Sequence, residues 1–161
     1  MGESDPYERA RALALRHLNR RERSEQELTA HLEAKGVKEA VAHAVVAELR
    51  EQRLVDDARY ARVFAQDKRA LEGWGRERIA RTLAQRGLAR EVIDSALAEH
   101  GDVQELEAAL ELLRRRCPEP PAQRAERDRA LGILIRKGFE SELALEAMRI
   151  HRSRVPGAAV Q

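Results

Sequence analysis

The sequence predicts an all-α protein made of three tandem three-helix, helix-turn-helix-like repeats. Gly36, Gly87 and Gly138 recur at intervals of 51 residues. Each follows a basic residue (Lys35, Arg86, Lys137) and precedes an apolar one (Val37, Leu88, Phe139). A leucine stands four residues before each glycine (Leu32, Leu83, Leu134), and apolar residues stand five after (Val41, Val92, Leu143) and ten after (Val46, Leu97, Met148). The composition is 36% charged and 3% aromatic, rich in Ala, Leu, Arg and Glu, with no convincing alternating run. Columns matched at one period are the mark of a repeat architecture. The modules read as residues 6–53, 54–101 and 102–152, with flexible tails at 1–5 and 153–161.

The repeated turn has a direct physical meaning. A glycine after the last helical residue takes the left-handed conformation, and the next apolar residue folds back over the final turn. The cation just before it complements the negative end of the helix dipole. Leu28, Ile79 and Ala130 lie four residues before the leucine column and share its face, so both columns read as core. A module of about fifty residues buries little surface alone. Each is expected to lean on a neighbour or a partner.

Pro6 suits the first turn of a helix running to about Asn19, with Leu13, Leu15 and Leu18 apolar. After a charged connector, Ser24-Glu25-Gln26-Glu27 has the capping-box pattern: Ser24 accepts from the Glu27 amide and Glu27 reaches back. The second helix runs to Lys35. The third starts near Lys38 and turns Val41, Val45, Val46 and Leu49 inward. Asp56 or Asp57 caps the fourth, which carries Tyr60, Phe64 and Leu71. Gly73-Trp74-Gly75 is the turn into a helix over 76–86, with Trp74, the only tryptophan, packed into a junction of helices. Asp102 caps a helix with Leu106, Leu110 and Leu113 on one stripe. Pro118-Glu119-Pro120-Pro121 breaks the chain after Cys117. The next helix runs to Lys137, Ser141 caps the last, and 155–161 reads as disordered.

The net charge of +2 and pI of about 9.0 describe a mixed-charge surface, which does not by itself mark a nucleic-acid binder. The single Cys117 precludes an internal disulfide and suits a reducing compartment. With no signal peptide or transmembrane run, the expected location is the cytoplasm. His17, His31, His43, His100 and His151 are scattered, with no i, i+4 pair and no zinc pattern. His100 and His151 sit at equivalent helix ends, which favours a capping or surface role. No Gly-x-x-x-x-Gly-Lys-Ser/Thr loop is present, and Gly73-x-Gly75 follows a helix rather than a strand. Asp56-Asp57 reads as capping rather than as a paired-carboxylate site. No catalytic constellation, metal or cofactor is expected. What remains is surface. Arg62 and Arg69 are seven apart on one face with Lys68 alongside, and Arg78 and Arg81 turn away from Ile79 and Leu83. That face is either solvated and laced with Glu72, Glu77 and Glu91, or a dock for a polyanion or an acidic protein groove. The pattern does not choose.

The run Arg20-Arg21-Glu22-Arg23-Ser24-Glu25-Gln26-Glu27-Leu28, the stretch 54–61, the Gly73–Ile79 turn, the three basic-Gly-apolar turns and the Pro118–Pro121 break together resemble the RecX family, over roughly residues 8 to 152. Trp74 stands where tyrosine or another residue is more usual. Arg76 stands where the family turn often carries proline, which would leave that turn less rigid. The resemblance implies an elongated, curved array and a non-enzymatic regulator that needs no cofactor. It implies binding to the RecA recombinase and its filament on single-stranded DNA, with suppression of filament growth, ATP hydrolysis and strand exchange in recombinational repair and the SOS response. It is compatible with a monomer and with weak direct DNA binding. No motif assigns the contact residue by residue. Charge places it on the second module, at Arg59, Arg62, Lys68, Arg69, Arg76, Arg78 and Arg81. The alternatives are a stand-alone DNA-binding helical-repeat protein, which the small net charge argues against, and a general helical scaffold.

Overall fold

A computed structural model describes residues 2–154. Among them are nine helices and no strand: α1 Pro6–Leu18, α2 Glu25–Ala34, α3 Glu39–Glu51, α4 Asp57–Glu72, α5 Arg76–Gln85, α6 Arg90–Ala98, α7 Asp102–Arg116, α8 Arg124–Lys137 and α9 Ser141–Ser153. The expectation of disorder over 155–161 lies outside the described residues.

All three repeat turns form as the glycine pattern requires. Gly36, Gly87 and Gly138 have φ of +88°, +82° and +98°, the region a side chain would resist. The amide after each glycine reaches back to the leucine column: Val37 N to Leu32 O at 3.0 Å, Leu88 N to Leu83 O at 3.2 Å, Phe139 N to Leu134 O at 3.1 Å. The glycine amides bond Glu33 O, Ala84 O and Ile135 O. These paired bonds satisfy carbonyls that a helix end otherwise leaves orphaned. Leu32, Leu83 and Leu134 are fully buried.

The chain divides into two compact units, Met1–Val63 with Leu83–Ser95, and Phe64–Thr82 with Ala96–Gln161. In the first, α1, α2 and α3 enclose Ala10, Ala14, Leu28, Leu32, Ala42, Val45, Val46 and Leu49, and Val55 completes the cluster. In the second, α7, α8 and α9 enclose Leu110, Leu112, Leu113, Ala130, Leu134, Phe139, Ala144 and Ala147. Small residues at Ala10, Ala14 and Ala42 let helices approach, while leucines fill the space between them.

One contact occurs in both units. In the first, the start of α2 meets the end of α5: Ser24 Oγ donates to Arg86 O at 3.1 Å, and a side chain on Gly87 would run into Gln26. In the second, the start of α5 meets the end of α8: Gly75 N donates to Lys137 O at 2.7 Å and Glu77 N to Gly138 O at 2.9 Å. Ser24 and Gly75 are repeat-equivalent, as are Arg86 and Lys137. The start of one middle helix, where donors are free, meets the end of another, where carbonyls are free.

Several helix starts differ from the sequence reading. Asp102 is the first residue of α7, and Gly101 holds the cap position without a side-chain bond. Ser141 likewise is the first residue of α9, and Glu140 holds the cap position without a side-chain bond. Ser24 does accept from Glu27 N at 3.1 Å, but the Glu27 carboxylate accepts from Tyr60 Oη at 3.0 Å instead of turning back. Of the Asp56-Asp57 pair, Asp56 caps α4 through Arg59 N at 3.0 Å, and Asp57 accepts from Glu25 N at 2.9 Å at the start of α2. Of the three residues noted on α4, Tyr60 is buried and Leu71 is exposed.

Candidate partner-binding surface

The Gly73-Trp74-Gly75 turn organises the basic residues of the second unit. Gly73 is left-handed, with φ of +65°. Its amide and that of Trp74 bond Arg69 O and Lys68 O at the end of α4. Lys137 Nζ donates to Glu72 O at 2.8 Å, covering another terminal carbonyl of the same helix. Trp74 meets Phe64 edge to face, with ring centroids 6.2 Å apart. Lys68 Nζ lies 4.7 Å and Arg78 Cζ 4.1 Å from the Trp74 centroid. Each cation on a ring face contributes about 0.5–1 kcal/mol at a solvent-reachable site. Lys68 also pairs with Glu72, and that hydrogen bond holds the Glu72 carboxyl below its ordinary pKa. Arg78 donates to Arg136 O at 3.3 Å.

The other side of the turn rests on Glu105, which is 3% exposed. Its Oε1 accepts from Arg76 N at 2.6 Å. The Arg76 guanidinium bonds Asp102 Oδ1 at 2.9 Å and His100 O at 3.2 Å. Burial pushes the Glu105 pKa up, while the Arg76 amide and the charges of Arg69 and Arg76 pull it down. Half-buried Arg69 is lowered by burial, with Glu105 opposing. His100 Nε2 lies 3.5 Å from Glu105 Oε2, and burial, then Arg69 and Arg76, lower its pKa, disfavouring the charged ring. Arg76 in place of proline gives this turn a backbone donor. A proline has no N–H, so the bond to Glu105 depends on a residue other than proline at 76.

The seven basic residues expected at the contact fall into different environments. Arg59 gives two donors to Glu22, at 3.0 and 3.2 Å, and a third to Arg53 O. Lys68 and Arg78 share the Trp74 ring, and Arg69 and Arg76 converge on Glu105. Arg62 and Arg81 are exposed and form no ion pair among the described residues. Arg59 and Arg62 belong to the first unit and the other five to the second.

Sequence reasoning missed Glu105, whose signal was a carboxylate on the apolar stripe of Ala109 and Leu112. It also missed that His17 and His31 stack, with centroids 3.6 Å apart and planes within 4°. No local spacing marks a pair brought together by two helices. Of the capping or surface role expected for His151, the structure shows the first: the ring is buried, with Nε2 2.7 Å from the O of Cys117, the C-cap residue of α7.

Comparison with known proteins gives a consistent result. Residues 10–49, 56–97 and 102–148 match, in order, the models of the first, second and third three-helix domains of RecX. A "Regulatory protein RecX" from Stenotrophomonas maltophilia is 38% identical, covering 91% of this chain and 87% of its own length. That from Thermobifida fusca is 33% identical, covering 90% and 80%. The crystal structure of RecX from Lactobacillus salivarius superposes with a TM-score of 0.83 at 19% identity, covering 92% of this chain and 98% of its own, and shows the same fold. A second crystal structure, of regulatory protein RecX, gives 0.77 at 25% identity, over 91% of this chain and 73% of its own. With three domain matches in sequence order and relatives above 30% identity over nine-tenths of its length, the chain belongs to the RecX family.

Proposed function

We propose that the chain is a non-enzymatic regulator of the RecA recombinase. It binds the RecA nucleoprotein filament on single-stranded DNA and inhibits filament growth, ATP hydrolysis and strand exchange, tuning recombinational repair in the cytoplasm. The observation that carries this reading is the ordered run of three RecX domain matches across residues 10–148. The module bounds of 6–53, 54–101 and 102–152 accommodate those matches and are part of the proposal. A monomer with three similar modules gains from linkage: once one module is held, the others bind at high effective concentration, so weak contacts add.

Within the basic set, Arg62 and Arg81 are the exposed cations with no ion pair among the described residues. They are the first assigned to the filament contact. Arg59 completes the set in the first unit, and Lys68, Arg69, Arg76 and Arg78 complete it in the second.

The test is RecA's single-strand-dependent ATP hydrolysis, followed while this protein is titrated in below the RecA concentration. A progressive fall at substoichiometric amounts is expected. The folded Arg62→Glu/Arg81→Glu variant should need at least tenfold more protein for the same fall. Undiminished inhibition by that variant removes the site assignment, and no inhibition by the parent chain removes the regulatory reading.

A further inference from the structure

A second basic surface lies on the first unit, outside the seven basic residues assigned to the filament contact. Leu13, Arg16, His17, Arg20, His31 and Lys35 line a cavity of about 290 Å³ between α1 and α2. An adjoining cavity of about 520 Å³ shares Leu13 and Lys35 and adds Arg9 and Lys38. Neither is lined by a carboxylate. Arg9, Arg16, Arg20, Lys35 and Lys38 form no ion pair among the described residues.

Helix dipoles do not account for this charge. The first cavity sits at the ends of α1 and α2, each equivalent to about half a negative charge. Against that total of about one stand three full cations, Arg16, Arg20 and Lys35, so about two positive charges remain. Nearby, Arg23 Nε is buried with no hydrogen-bond partner among the described residues.

We propose that these two cavities form one binding site for the phosphate backbone of a nucleic-acid strand. The first cavity is large enough for a phosphate group. The continuation past Lys35 to Lys38 and Arg9 spreads the cations along a track, which suits a chain of phosphates better than one compact anion. The floor of Ala10, Leu13, Val37 and Val41 gives sugars or bases an apolar surface. The stacked histidines make the site responsive to pH. Burial, then the charges of neighbouring Arg20, Arg21, Arg23 and Lys35, disfavours protonation of one or both rings. A bound phosphate opposes that effect, so binding tightens as the pH falls below about 6.5. This site stands apart from the RecA reading, and its test contains no recombinase.

The test is fluorescence anisotropy of a labelled twelve-nucleotide oligothymidylate with the full chain at low salt. The Arg16→Glu/Arg20→Glu/Lys35→Glu variant should bind at least tenfold more weakly. Its salt dependence should be flatter by about two units of log K per log salt, since each phosphate contact on a single strand contributes about 0.7. If circular dichroism shows that this variant is misfolded, Arg16→Gln/Arg20→Gln/Lys35→Gln takes its place. Equal binding by the folded variant and the parent overturns the proposal. So does a loss as large in Arg62→Glu/Arg81→Glu, because the charge effect is then not local. Displacement by pyrophosphate at equal phosphate concentration overturns the extended strand in favour of a compact anion. A twelve-residue polyglutamate binding as tightly as the oligonucleotide overturns nucleic acid as the partner.

Discussion

Gly75 and Gly138 touch backbone to backbone. A Cβ built on Gly75 would lie 2.6 Å from the carbonyl carbon and oxygen of Gly138. The neighbouring bonds from Gly75 N to Lys137 O and from Glu77 N to Gly138 O need that approach. Gly75→Ala should therefore cost about 1–3 kcal/mol, the usual range for an extra methyl in a packed interface. Urea denaturation checks it, and a midpoint unchanged from the parent would show that the α5–α8 junction tolerates separation.

Ser24 performs the equivalent task in the first unit. It is fully buried, accepts from Glu27 N and donates to Arg86 O. Ser24→Ala removes a cap and the bond to Arg86 O, with an expected cost of about 1–3 kcal/mol. Ser24→Thr should recover part of this. Equal loss in both variants would point to packing rather than the hydroxyl.

Trp74 and Arg78 should be energetically coupled. A double-mutant cycle with Trp74→Leu and Arg78→Ala is expected to give about 0.5–1 kcal/mol of interaction. Additive losses would mean that the guanidinium is held by Arg136 O alone.

The histidines set a pH dependence of stability. His17, His31 and His100 are held below 6.5, with burial as the first cause. In the window below about 6.5 the unfolded chain takes up protons that the folded chain does not, so stability falls as pH falls. Asp57 and Glu105, raised above 3.8 and 4.5 by burial, act in the opposite sense at lower pH. His17→Gln/His31→Gln should lose less stability than the parent between pH 7.5 and 5.5. The same loss in both would assign the dependence to other groups.

The three repeat turns were legible in the sequence because everything they need lies within six residues: a leucine, a cation, a glycine and an apolar residue. Helix existence was legible for the same reason. Helix starts were less so, since a side chain able to cap its own helix can be drawn elsewhere by a distant partner. The Asp57 carboxylate serves α2, and the Asp102 carboxylate goes to the Arg76 guanidinium. The basic residues of the candidate site were legible as cations. Their availability was not, because it depends on Glu22 and Glu105, each remote in sequence from a cation it engages, and on the turn that seats Trp74 between Lys68 and Arg78. The His17–His31 stack was hidden for that reason too.

The division of the middle module has a consequence for dissecting the protein. The first unit draws on residues beyond Arg53: Val55 in its core, Tyr60 against Glu27, and Arg86 against Ser24. The second draws on the Gly75 turn, which lies before residue 102. A gene cut at either repeat boundary would strip an intact-looking fragment of contacts supplied from across the cut. Single-repeat fragments are therefore poor proxies for mapping activity. Point substitutions in the full-length chain keep both sets of contacts in place.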